Sequence, residues 1–107
     1  MNLLRGAIYK ANLESDESKL WLVVSPNARN MALGSALAVR LTTSQKYTEL
    51  SSVVHIPDGE LVHGWIRCDS LTIMYSDEPE EKIGALSKFA MSTVERGLMA
   101  ALGISSK

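Results

Sequence analysis

The stretch Gly64-Trp65-Ile66-Arg67-Cys68-Asp69 sets an arginine and an aspartate two residues apart. On a β-strand, residues i and i+2 project to the same face, so Arg67 and Asp69 stand together. A carboxylate beside a guanidinium suits cleavage of a phosphodiester, above all in RNA. The substrate then brings its own nucleophile. The carboxylate takes the proton of the 2′-hydroxyl, and the cation stabilises the pentacoordinate phosphorane. No metal is required. The plainer reading is a surface ion pair of small energetic worth. The spacing alone leaves both open.

Other candidates are weaker. His55 and His63 each stand alone, without His-x-His or Cys/His spacing, so no metal site is expected. His63 lies near the Arg67/Asp69 stretch and is a candidate substrate contact. Cys68 has the opposite strand parity to Arg67 and reads as an inert core thiol. No Cys/His pattern supports a nucleophile. The chain has no glycine-rich phosphate loop and no Gly-x-Ser-x-Gly elbow. Trp21, Trp65, Tyr9, Tyr47 and Tyr75 are the aromatic residues that could stack on bases. Trp21 sits in an apolar run and belongs to the core. Trp65 shares the Arg67/Asp69 face and is the better stacking candidate, with a dimer contact as its competitor.

The elements that must position these residues fit one domain over 1–107. Alternation predicts strands over 5–13 and 36–43. The latter turns Leu37, Val39 and Leu41 to one face, and Ala38, Arg40 and Thr42 to the other. Residues 20–25 form a continuous apolar run, as expected of a strand buried on both faces, and Pro26 ends it. Residues 27–35 read as a connection that includes a helical turn closed by Gly34. Further strands are expected over 51–57, within 62–75 and over 82–86. The acidic Ser-Asp-Glu-Pro-Glu-Glu run at 76–81 reads as a surface loop. Ser87 can cap a terminal helix. Its apolar stripe is Met91, Val94, Leu98, Ala101 and Leu102, and Gly103 stops it. Gly97 inside that helix implies a close packing contact. The sum is an α+β, mostly β fold: a small bent antiparallel sheet or SH3-like barrel with a C-terminal helix.

Composition narrows the classes. The net charge of −1 argues against a non-specific nucleic-acid coat. The acid is concentrated in Glu14–Ser18 and in 76–81, so the remainder is basic and a local basic groove is compatible with it. No apolar run approaches a membrane span. The N-terminus carries no signal-peptide pattern. A single cysteine fits a cytoplasmic location.

Taken in order, Arg5–Tyr9, Leu22–Asn30, Ala38–Thr43, Gly64–Ile73 and Ala85–Ile104 resemble the MazF/PemK/Kid family, the toxins of bacterial type II toxin–antitoxin pairs. The likeness covers nearly the whole chain. It implies a CcdB/MazF-like barrel, a homodimer, and a ribosome-independent, metal-free endoribonuclease that needs no cofactor. It also implies a cognate antitoxin lying over the RNA groove. The Arg-Cys-Asp context implies that Arg67 and Asp69 act in catalysis, with Asp69 as general base. The Leu-Thr-Thr context implies that Thr42 holds the phosphate. Lys19 stands where many members have an arginine. Trp65, Arg40, Ser44 and His63 are the expected RNA contacts. The first loop is short and lacks the histidine that Kid carries there. Both mRNA and tRNA are open as targets. The alternatives are an inactive RNA- or protein-binding module on the same fold, or a CcdB-like gyrase inhibitor.

Overall fold

The structure, a computed structural model, describes residues 1–104. The last three residues of the domain expected over 1–107 lie outside the described residues. The elements are β1 (Ala7–Ala11), β2 (Lys19–Val23), α1 (Asn27–Leu33), β3 (Ser35–Thr42), β4 (Val53–His55), β5 (Trp65–Tyr75), β6 (Pro79–Ala85) and α2 (Lys88–Leu102). The six strands form one antiparallel sheet in the order β4-β5-β3-β2-β1-β6. The Ile56–Gly64 loop reaches from one edge towards the other. Its Leu61 packs where a Cβ on Gly84 of β6 would stand, and its Glu60 bonds the start of α2. The sheet is thereby bent towards a barrel, as expected.

Both faces of the sheet are apolar in its middle. On one face Ile8, Leu22, Val39, Leu41, Ile66 and Cys68 pack under Ala90, Met91 and Val94 of α2. On the other, Tyr9, Trp21, Val23, Ala36, Ala38 and Met74 are sealed by Leu3, with Leu13 packed against them. Burying each large side chain stabilises the fold by roughly 1.5–3 kcal/mol. Two-sided burial explains the unbroken apolar run of β2 and places Trp21 in the core, 1% exposed.

Helix α2 follows its sequence signals. The hydroxyl of Ser87 accepts from the Ala90 amide at 3.1 Å, and Gly103 closes the helix in the left-handed region with φ 71°. Gly97 makes the expected close approach, since a Cβ there would stand 2.7 Å from Cys68 Sγ. Glu60 takes the orphan Ser87 amide at 2.9 Å and the Ser87 hydroxyl at 2.6 Å. These two bonds, hydroxyl first, hold the Glu60 carboxyl below its ordinary value.

Three expectations need correction. The connection over 27–35 contains a full helix, α1, although no side chain caps it. It is held instead by buried Asn30, whose amide donates to the Leu3 and Ser25 carbonyls, both at 3.1 Å. The strand expected over 51–57 is only Val53–His55, because Ile56 turns away to bond Gly64. The acidic run is not wholly loop, since Pro79 to Glu81 open β6. Pro79 sits at the first position of an edge strand, where its missing N–H matters least. Glu80, Glu81 and Lys82 suit an edge that should not pair further.

The feature that matters most for the site is a bulge in β5. Arg40 pairs with Arg67, but Ala38 pairs with Thr72, so residues 68–71 oppose Val39 alone. Side-chain parity shifts across it. Ile66 and Cys68 enter the core under α2, whereas Met74 enters the opposite core. Ser70 locks the kink: its hydroxyl accepts from the Arg40 amide at 2.8 Å and donates to the Arg67 carbonyl at 2.6 Å. Bulges of this kind re-aim side chains.

Candidate active site

One end of the sheet gathers most of the polar residues singled out by sequence. The register sets Arg40 between Trp21 of β2 and Arg67 of β5, and Thr42 beside Trp65. Ala38, Arg40 and Thr42 share a face by strand parity. Ala38 is sealed in a core, while Arg40 and Thr42 emerge at its end. Gly64 lets β5 begin this close to β3. Its φ is 121°, and a Cβ there would collide with the Thr42 carbonyl.

Two clefts open here. The first, about 280 Å³, is lined by Ser18, Lys19, Arg40, Thr42 and His63 among others. The second, about 210 Å³, is lined by Arg40, Thr42, Ser44, Lys46, Tyr47 and Arg67. Arg40 and Thr42 belong to both and form the ridge between them. The Thr42 hydroxyl accepts from the Ser44 amide at 3.1 Å, which leaves its O–H free to donate to a ligand.

Three of the four cations at the clefts, Lys19, Arg67 and Arg40, differ in how they are occupied. Lys19 Nζ donates to Glu17 at 2.9 Å. That hydrogen bond, then the Lys19 charge and more weakly the Arg40 charge, lowers the Glu17 carboxyl. Arg67 stands 3.7 Å from Asp69. Arg40 forms no ion pair among the described residues, and its Nε is buried without a hydrogen-bond partner. An unpartnered buried donor is costly, so an anion arriving at Arg40 gains what that donor lacks.

Cys68 is excluded from the chemistry. Burial, helped by the Asp69 charge, pushes its thiol up to about 12, so almost no thiolate exists at neutral pH. Among the described residues, no group of three or more His, Cys, Asp or Glu side chains is placed to hold a metal ion.

Comparison with known proteins now places the chain. Residues 4–102 match the family described as PemK-like, MazF-like toxin of type II toxin-antitoxin system. The chain belongs to this family. The MazF-like toxin is 31% identical to Endoribonuclease MazF4 of Mycobacterium tuberculosis, over 94% of this chain and 93% of that protein. Endoribonuclease MazF1 of Mycobacterium bovis is 31% identical over the same shares. A mycobacterial endoribonuclease solved in complex with its cognate antitoxin superposes with a TM-score of 0.88 at 30% identity, covering 97% of this chain and 98% of that one. A MazE–MazF structure from Deinococcus radiodurans gives a TM-score of 0.79 at 22% identity, with 98% and 100% covered, and supports the fold alone.

In this MazF-like toxin the residues expected from sequence do not all meet. Lys19, Arg40, Thr42, Ser44, His63 and Arg67 line the two clefts. Asp69 stands beside Arg67 on the bulge, outside both linings. Trp65 has the expected parity but lines neither cleft. Its ring meets His55 edge-on, with centroids 5.3 Å apart. Tyr9 and Trp21 are buried. Sequence reasoning passed over Glu17, Lys46 and Ser70. Glu17 was legible as a carboxylate two residues from Lys19. The Ser70 lock depends on a bulge that no local pattern announces.

Proposed function

We propose that this toxin cuts RNA on the Arg40–Thr42 ridge, with Arg67 and Asp69 as its reacting pair and without a metal ion. The chain is a MazF-like toxin endoribonuclease of a type II toxin–antitoxin system by family. The observation that carries the finer reading is the juxtaposition of Arg40, Thr42 and Arg67 with Asp69 at the end of the β3–β5 ladder. Asp69 takes the proton of the 2′-hydroxyl, and the freed oxygen attacks phosphorus. The Arg40 and Arg67 guanidiniums stabilise the charge that develops on the phosphoryl oxygens, and the Thr42 hydroxyl donates to one of them. Arginine is too weak an acid to serve as proton donor at neutral pH. The P–O5′ bond then breaks, and the 5′ oxygen takes a proton from water. The products carry a 2′,3′-cyclic phosphate and a 5′-hydroxyl. Lys19, once released from Glu17, contributes charge to the neighbouring cleft, where His63 and Ser18 contact the strand.

Cytoplasmic single-stranded RNA is the substrate in this reading, within either mRNA or tRNA. The toxin is held in check by a cognate antitoxin, on the likeness to the mycobacterial complex, and the homodimer is what the family resemblance implies.

The test is cleavage of a defined RNA by purified protein in excess chelator. Wild type should cut and leave the two ends named above. A 2′-deoxy nucleotide at the cut should abolish the reaction. Binding without any cutting would replace the enzyme by an RNA-binding module. Cutting that stops in chelator would overturn the metal-free chemistry. Lys19→Arg reports on the first cleft: faster cleavage is expected, because a guanidinium binds phosphate through two donors where an ammonium acts as a point charge.

A further inference from the structure

The second cleft holds a residue that the cleavage chemistry does not use. Tyr47 lines it and is 58% exposed. Its φ is 61°, and it is the one non-glycine residue at positive φ among the described residues. An L-residue is disfavoured there by contact between its Cβ and the backbone, and glycine would avoid the conflict. The chain nevertheless places an aromatic ring at this position, and burial does not explain it. The backbone is tied in place by short links. The Ser44 amide donates to Thr42 Oγ1 at 3.1 Å, the Lys46 amide to Ser44 Oγ at 3.3 Å, and the Leu50 amide to the Tyr47 carbonyl at 3.0 Å. The ring is therefore anchored through its own loop to the ridge threonine.

Tyr47 shares the cleft with Arg40, Arg67 and Lys46. Arg40 Nε is buried and unpartnered beside it. A solvent-facing ring next to unpaired cationic charge matches the two halves of a nucleotide, with the base on the ring and the phosphate on the guanidiniums. Inorganic phosphate or a carboxylate would leave the ring without work. A cavity of about 300 Å³ between the N-terminal segment and α1 offers no such pairing, because no ionisable side chain lines it.

We propose that Tyr47 is a base-stacking platform, and that its cleft is a nucleotide subsite holding one base beside the phosphate bound by Arg40 and Thr42. This rests on the reading of the chain as an RNA-cutting enzyme. The RNA then crosses the ridge with one nucleotide in each cleft. The base on Tyr47 must be free of its neighbours in a helix, so the substrate is single-stranded at that nucleotide. Stacking tolerates every base, so Tyr47 governs occupancy and leaves base identity to the cleft edges.

The experiment pairs ring-deleting variants with base-deleted RNA. Tyr47→Gly removes the ring and keeps the left-handed backbone, while Tyr47→Phe keeps the ring. The substrate is an oligonucleotide that wild type cuts, with one nucleotide at a time made abasic. Wild type should lose about 5- to 150-fold in kcat/KM when the nucleotide on one side of the cut is abasic. Tyr47→Gly should lose a similar factor on intact RNA and ignore that abasic position. Tyr47→Phe should behave as wild type. Unchanged cleavage by Tyr47→Gly, or undiminished sensitivity to every abasic position, overturns the subsite. If wild type cuts nothing, the enzyme reading has failed, and binding of a 2-aminopurine oligonucleotide decides the subsite alone. Quenching and affinity lost in Tyr47→Gly then uphold it, whereas unaltered binding overturns it.

Discussion

On one face of the β3–β5 ladder, Ala36, Ala38 and Met74 are sealed into a core, whereas Arg40, Thr42 and Arg67 stand at the clefts. The strands, the sheet and the hydrogen-bonded scaffold are the same. What separates the halves is the bulge at residues 68–71. On the core side the side chains are small or apolar and meet other side chains. On the cleft side they are charged or polar, and one guanidinium nitrogen lacks a partner. The core half fixes where the backbone lies, and the cleft half inherits that placement. The division teaches that stability and chemistry should be separable by substitution on either side of a few residues.

The largest effect is expected on the cleft side. Asp69→Asn should lower cleavage by about 10²–10⁴-fold, the usual weight of a general base, with circular dichroism and melting temperature near wild type. Met74→Ala should do the reverse. It opens a cavity costing about 2–5 kcal/mol by chemical denaturation, while kcat per folded molecule stays close to wild type. A stable Met74→Ala protein that cannot cut would show that the two halves are not separable.

Substitution at the boundary should touch both sides. Ser70→Ala removes the bonds to the Arg40 amide and the Arg67 carbonyl. A loss of about 1 kcal/mol in stability is expected, together with a measurable fall in kcat, because the guanidiniums lose their fixed spacing. An effect on stability alone would mean that the bulge holds itself without its lock.

The smallest effect is a pH-dependent control at the start of α2, on a carboxylate that lines neither cleft. The folded Glu60 carboxyl lies below its ordinary value of 4.5 through its bonds from Ser87. A depressed carboxylate stabilises the fold above its unfolded value, and that contribution is lost as pH falls through the folded one. Glu60→Gln should therefore lower the melting temperature slightly at pH 7, and the difference should shrink as pH drops below 4.5. Cleavage at pH 7 should not change.

Local physics made much of this fold legible. Ser87, the apolar stripe of α2 and Gly103 mark the helix through short-range bonds and a single period. The parity of Trp65 to Asp69 gives the inner and outer faces of the start of β5 because that segment is regular. Legibility ends where partners are distant in sequence. The alternation of residues 65–75 breaks at the polar pair Asp69–Ser70 and in the apolar run Ile73–Tyr75, and neither break by itself says that Met74 changes core. The sequence of 27–35 marks a helical turn and its Gly34 end but not the full length of α1, because the anchor Asn30 bonds Leu3 across the fold rather than a cap beside it. Most of the site residues were legible as types. The Lys19–Glu17 pair is local, two residues apart, whereas that Trp65 turns to His55 and that Tyr47 reaches a cleft follow from tertiary placement.

The contact between Gly97 and Cys68 has a practical consequence. The only cysteine of the chain lies on the strand that carries Arg67 and Asp69, with its sulfur pressed against a helix that has no side chain there. An alkylating reagent can reach it only in molecules whose α2 has lifted from the sheet. The rate of thiol labelling is thus a clock for that opening. It can be read with or without RNA in the clefts, on the native chain and with no cysteine introduced.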